Sequence, residues 1–388
     1  MRRRGYDGVV LAVPVSIPYQ RFSIHGAHWW IGRALREVLR GAGLEKRQLD
    51  GLIVSSFSLG SDTAVGLTQH FGLSPRWLDH VPMGGASAVV AVRRAARAVQ
   101  AGDADVVAVV AGDGNAPDSF RQQLAGFSRF ASDASYPYGG GGPNAMFALM
   151  TDAYMRRYGV TREDFGRICI AQRENALSYP HALMKTPLGM AGYLGARMVA
   201  DPLALFDCVM PCAGAEAFLV MREETARGQG VACAHLRAAI ERHHGFADDA
   251  IQARGGWAMD RDELWAMAGC APGDVDVVQT YDDYPVIVMM QLEDLGFCGK
   301  GEAAAFVRAH DLTAGGDFPH NTSGGQLSVG QAGAAGGHLG LVEALRQVTG
   351  QALGVQVEGA VRALVSGFGM INYDRGLCSA AAVLEGAQ

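Results

Sequence analysis

Tyr281-Asp282-Asp283-Tyr284 follows the run Val275-Asp276-Val277-Val278-Gln279-Thr280 and places two phenols and two carboxyls where the pattern predicts the end of a buried strand. Ligand sites of α/β proteins gather at the carboxyl ends of such strands. A phenol titrates near about 10, so Tyr281 can move protons at neutral pH only if hydrogen bonds or nearby charge tune it. A strand-end tyrosine that packs in the core with a wet hydroxyl fits the same spacing. Asp282 and Asp283 could tune or relay a proton, or cap the helix that follows. Further on, Asn321-Thr322-Ser323-Gly324-Gly325 offers an amide that could donate to a substrate oxygen or close an Asx turn, and glycines that permit close backbone approach.

A third place of interest is Val81-Pro82-Met83-Gly84-Gly85-Ala86-Ser87, which leads into a helical pattern and then the buried strand DVVAVVAGD. A helix start has unpaired N–H groups and a positive dipole end, so it suits an attacking thiolate or an anion. No cysteine stands there to use it. Ser87 could serve as a nucleophile, but no triad accompanies it in sequence and helix capping or packing fits it better. His338, after the glycines at 333–337, either faces a pocket or sits solvated at a helix start. His243, His244 and His320 have no partner at ligand spacing, so the sequence offers no metal site.

The elements that must position these residues come from an internal repeat. Ala42-Gly43, Leu49-Asp50 and Leu52 meet Ala268-Gly269, Val275-Asp276 and Val278 at a constant offset, each set being a helix end, a short link and a buried strand. The helix RRAARAVQ and its strand, at 93–113, have a counterpart in VEALRQVTGQ followed by VRALVSGFG. The chain is therefore expected to be a duplicated βαβ-rich α/β body with an N-terminal half at 1–225 and a C-terminal half at 226–388. Residues 115–212 form an insertion with two helical patterns before the first half regains a strand at GAEAFLVM, and such an excursion is typically a cap over a binding site.

The totals exclude several functions. The net charge is −6 and the basic residues are scattered apart from Met1-Arg2-Arg3-Arg4, a solvated terminus by preference, so nucleic acid is not an expected partner. The apolar runs fall short of the roughly 20 residues a membrane helix needs. Seven cysteines with no CxxC pair read as reduced thiols, and the expected compartment is the cytoplasm.

These residues, in this order, carry a resemblance over nearly the whole chain. The duplicated halves, the loop insertion, QRENALSYPHA, RMVADPLALFDC, YDDYPVIVMMQLEDLGFCGKGE and NTSGGQLSVGQAGAAGG resemble the thiolase superfamily, and more narrowly the sterol-carrier-protein-type thiolases. The resemblance implies a five-layered α-β-α-β-α body. It also implies where thiolase catalysis would sit: the nucleophilic cysteine falls on Gly85, the first histidine on Tyr281, the second on Gln331, and the last cysteine element on the region Gly369 to Tyr373, which has none.

What remains resembles the thiolase-fold aldolases that cleave steroid side chains, which carry a Tyr-Asp-x-aromatic motif and a second tyrosine whose place is taken here by Gln331. The implied reaction is aldol or retro-aldol chemistry on a β-hydroxyacyl-CoA without a covalent acyl-cysteine. Tyr281, Gln331, Asn321 and Asp283 are then expected at the chemistry, and Gly85, Ser87, Ser323, Gly324, Gly325 and His338 around the thioester. Gly85 is expected to widen the cavity where the family has a cysteine. Coenzyme A would enter as part of the substrate, with no covalently bound cofactor. A homodimer and an accessory protein with a zinc ribbon and an OB-type fold are the partners the resemblance implies. The competing readings are a degenerate subunit that binds acyl-CoA or scaffolds an active partner, and, with less support, an acyltransferase.

Overall fold

The computed structural model describes residues 5–60, 63–117 and 129–387, so the basic run at 1–4 lies outside the described residues. Its strands are β1 (Val9–Gln20), β2 (Gly51–Ser55), β3 (Trp77–His80), β4 (Val106–Asp113), β5 (Met198–Ala200), β6 (Leu203–Ala204), β7 (Ala213–Arg222), β8 (Cys233–His243), β9 (Val277–Gln279), β10 (Arg362–Asn372) and β11 (Arg375–Gly386). Except for the β5–β6 hairpin they join one sheet in the order β3-β2-β4-β7-β1-β8-β11-β10-β9. The strands before residue 223 lie on one side of the β1–β8 junction and the later ones on the other. That junction is antiparallel, from Val10 opposite His235 to Ala12 opposite Cys233.

The repeat is visible at the level of single hydrogen bonds. Asp50 accepts the backbone N–H groups of Asp105 and Val106 at the start of β4, and Asp276 accepts those of Val361 and Arg362 at the start of β10. In each half this carboxylate pins a parallel pair, β2 with β4 and β9 with β10. The aspartate at the head of each strand thus satisfies backbone donors that would otherwise be exposed where the neighbouring strand begins.

Alternation along the strands explains the layers. In β4, Val107 and Val109 point into one core while Val106, Ala108 and Val110 point into another; in β10, Ala363 and Val365 oppose Leu364 and Phe368 in the same way. A sheet covered on both faces needs such continuous apolar runs. The helices that fill the layers are α1 (Ala27–Gly41), α2 (Ser87–Ala101), α3 (Pro143–Tyr158), α4 (Arg162–Ser178), α5 (Trp257–Ala268), α6 (Pro285–Asp294) and α7 (Gly336–Val348). α1 buries Trp30, Ile31, Ala34, Leu35 and Val38 against the outer face of the first half. α2 and α7 lie between the two halves and share one apolar cluster with strands of both. α5 and α6 cover the second half, and the insertion helices α3 and α4 pack onto the same cluster through Phe147, Tyr154 and Ile168. The result is the α-β-α-β-α order.

Candidate active site

Tyr281 follows β9 by two residues, and its backbone is fixed by one buried side chain. Its N–H donates to Gln291 Oε1 at 3.1 Å and its carbonyl accepts Gln291 Nε2 at 2.7 Å, while the Ser366 hydroxyl donates to the same Oε1 at 2.7 Å. Gln291 belongs to α6, all ten residues of which are buried. That helix starts at Pro285, whose missing N–H costs nothing at a helix's first position. A tyrosine on such an anchor has little freedom.

The phenol ring lies over Gly85. A Cβ at residue 85 would overlap Cε2 and Cζ of Tyr281 and stand 2.5 Å from the Phe368 carbonyl oxygen. The expectation that Gly85 widens the cavity is therefore corrected: the room left by the missing side chain is taken by the tyrosine, so glycine at 85 and tyrosine at 281 are one structural unit. Gly85→Cys alone should collide with the ring and, by the usual cost of overpacking, destabilise the fold by about 1–3 kcal/mol. Pairing it with Tyr281→His should recover only the part of that loss due to the ring, since the contact with the Phe368 carbonyl remains, and thermal melts of the two variants would show the difference.

The Gln331 amide donates to Asp283 Oδ1 at 3.3 Å, and the Tyr281 hydroxyl lies near enough to Asp283 for the two groups to affect each other's titration. Burial, aided by the Asp283 charge, pushes the Tyr281 phenol well above its ordinary range, so the side chain is a proton donor at rest. Burial also pushes Asp283 up to about 7, helped by Asp282 and opposed by the bonds from Tyr281 and Gln331. An acid–base group works best when it titrates near the working pH. Of the two groups, Asp283 is the one that burial leaves titrating near neutral pH.

Tyr281, Asp283, Gln331 and Gly85 line one cavity of about 310 Å³. Phe57, Phe147, Phe368, Met184 and Leu205 make much of its wall apolar, and the insertion closes one side through Asn144, Cys208 and Met210. Arg21 and Arg197, both exposed side chains, also border it. Such a lining suits a bulky apolar group with a few placed polar contacts.

Six residues expected at the chemistry or the thioester stand elsewhere. Asn321, at φ 43°, accepts Thr280 N–H with Oδ1 and donates Nδ2 to Thr280 O, so its amide is spent on the backbone just before Tyr281. Ser323 is buried behind Tyr281 at a void of about 10 Å³. The glycines allow close approach to protein, not ligand: a Cβ on Gly324 would press on Ala176 and the Gln172 carbonyl, and one on Gly325 would overlap Asp282. Ser87 is fully buried and its Oγ accepts Met83 N–H at 3.0 Å, which pins the loop before α2. His338 is neither solvated nor in the cavity; it is buried in the middle layer with Nδ1 toward Ala334 O, and burial pushes it down to about 4. Asp282 caps a helix, but the short one at Gly325–Val329 and not the one that follows it.

Sequence reasoning missed three polar residues of the wall. Asp113 ends β4 and accepts N–H groups of Phe57, Ser58 and Ala334 together with the Ser56 hydroxyl, tying two loops to the strand end at the cavity wall. Its position at the end of an apolar strand was the available signal. Tyr284, the last residue of the Tyr-Asp-Asp-Tyr motif, donates its hydroxyl to Asn144 Oδ1. Asn144 sits at the start of α3 just after the glycine run at 139–142, a break that marks a helix start.

Residues 249–378 match the family described as Thiolase C-terminal domain-like. Over 82% of this chain and 85% of the other, the sequence is 32% identical to the 17-hydroxy-3-oxo-4-pregnene-20-carboxyl-CoA lyase of Mycobacterium tuberculosis. It is 30% identical to a steroid side-chain-cleaving aldolase of Thermomonospora curvata, over 82% and 84% of the two chains. The solved structure of an Ltp2-ChsH2(DUF35) aldolase superposes with a TM-score of 0.83 at 26% identity, covering 98% of each chain. The chain belongs to the thiolase superfamily, in its sterol-carrier-protein-type branch and alongside the steroid side-chain-cleaving aldolases, and it is a thiolase-like carbon–carbon lyase.

Proposed function

We propose that this protein cleaves, or in reverse forms, the bond between the α and β carbons of a β-hydroxyacyl-CoA carrying a bulky apolar group, with Asp283 as the base and Tyr281 as the hydroxyl that passes the proton. The observation that carries the reading is the Tyr281 ring seated over Gly85 in the cavity that Asp283 also lines, with Gln331 bonded to Asp283 and burial pushing that carboxyl up to about 7. The substrate's β-hydroxyl gives its proton to the Tyr281 oxygen as the Tyr281 proton moves to Asp283. The α–β bond breaks, the β-carbon becomes a carbonyl, and the electron pair leaves as the thioester enolate. Return of the proton to the α-carbon releases the shorter acyl-CoA. No free phenolate accumulates, which suits a phenol whose own ionisation is suppressed by burial. Acyl-CoA is taken as the substrate class because the Mycobacterium relative is named for one.

The arrangement speaks against acyl transfer. Two thiols line the cavity, and burial pushes Cys208 up to about 12 and Cys212 higher still, so both are protonated and poor nucleophiles near neutral pH. Intact mass should be unchanged after incubation with acetyl-CoA. A stoichiometric acetyl gain mapped to Cys208, Cys212 or Ser87 would move the protein to the acyltransferase reading.

The same reading extends to partners. β3 is an edge strand of the sheet and carries Trp77, which supports pairing with a second copy as a homodimer. The solved aldolase is named jointly with ChsH2(DUF35), which supports an accessory protein of the zinc-ribbon and OB type. Among the described residues no helix is long and apolar enough to cross a membrane, and the cytoplasm is the compartment we propose.

A further inference from the structure

A second groove, of about 480 Å³, lies between β1, α1 and the C-terminal end of α7 and is bordered by Ser16, Arg40, His181 and Arg346. It shares no wall residue with the active-site cavity. Arg346 is ten residues along α7 from Gly336, roughly 15 Å at the rise of an α-helix. Its side chain is only 7% exposed, its Nε has no partner, and its one hydrogen bond is a long 3.4 Å contact to the Ser16 hydroxyl. That hydroxyl is already committed, donating to Glu216 at 2.6 Å.

Two buried carboxyls lie within electrostatic reach of Arg346, and neither neutralises it well. Burial pushes Glu216 up to about 8, so near pH 7 it is mostly protonated, and burial raises Glu343 too while Thr322 and Gln347 bond its one satisfied oxygen. A buried guanidinium left this way is costly unless an anion pairs with it. On the same wall His181 has a buried Nδ1 without a partner, and its burial beside Arg346 and Lys185 holds the ring neutral.

We propose that this groove is a binding site for a small carboxylate, held by the fork of Arg346 with His181 as a further contact. The fork geometry of guanidinium matches a carboxylate. The surroundings argue for low ligand charge: Arg40 at the rim is already paired with Glu37 at 2.6 Å, and α1 and α7 both turn their C-terminal, negative ends toward the groove. A multiply charged phosphate is disfavoured there.

The test is a set of melts of the full chain in sodium acetate, sodium propionate and sodium phosphate against sodium chloride at matched ionic strength. Acetate or propionate should raise the melting temperature of the wild type saturably, because a ligand that binds only the native state stabilises it by mass action. Arg346→Gln should weaken that response at least tenfold and His181→Ala severalfold. Should Arg346→Gln fail to fold, Arg346→Lys keeps the charge without the fork and should also bind more weakly. An equal response in wild type and variants, or none in either, overturns the site. A response to phosphate stronger than to the carboxylates overturns the assigned class.

Discussion

Tyr281→Phe should lower turnover at least about 100-fold, the lower end of what general acid–base catalysis contributes, while the melting temperature barely moves. The ring keeps its seat over Gly85 and the backbone keeps its two bonds to Gln291, so the fold loses a hydroxyl and nothing else. Asp283 loses the neighbouring hydroxyl that had lowered its proton affinity, so the residual activity should need a higher pH than the wild type. Steady-state kinetics across pH, with melts on the same samples, would check both halves of this. Normal turnover in Tyr281→Phe would leave binding or scaffolding as the better account.

Asp283→Asn should cost a similar factor, about 10²–10⁴-fold, and should also remove the limb of the wild-type pH profile on which kcat/KM rises toward pH 7. The same substitution carries an opposite expectation for stability. Asp283 is held near 7 in the folded chain against about 3.9 when unfolded. The stability its protonated form contributes is fully present below about pH 4 and is lost as pH rises through 7. Asparagine cannot ionise, so the variant should melt higher than the wild type at pH 8, and the gap should close toward pH 4. A variant less stable than the wild type at pH 8 would show that the carboxylate is better solvated than its position implies.

Much of the fold could be read from the sequence because it repeats. Asp50 and Asp276 sit at the same place in two copies of one pattern, and each does the same hydrogen-bonding task. Continuous apolar strands announced a sheet covered on both faces, and β4 is buried at every residue. The site was legible in part, since Tyr281, Asp283 and Gln331 do converge on one cavity.

The rest depends on which atoms approach across the fold. Asn321, Gly324 and Gly325 have the residue types of a ligand loop, yet their freedom serves Thr280, Ala176 and Asp282. Local pattern cannot distinguish a glycine that admits a ligand from one that admits a helix. Gly85 shows the same limit: its missing Cβ is visible in the sequence, and the ring that fills the space comes from a distant part of the chain, at Tyr281. The proton affinity of Asp283 is likewise set by burial, which no motif encodes.

The most direct measurement is product analysis of the purified protein, alone and with an accessory protein of the zinc-ribbon and OB type, on a β-hydroxyacyl-CoA whose β-carbon bears a tertiary hydroxyl and a bulky apolar ring. Retro-aldol cleavage through Tyr281 predicts equimolar release of a ketone and a shorter acyl-CoA by the wild type, with release by Tyr281→Phe at least about 100-fold slower. No cleavage with or without the accessory protein, or cleavage at equal rates by the wild type and Tyr281→Phe, would contradict it.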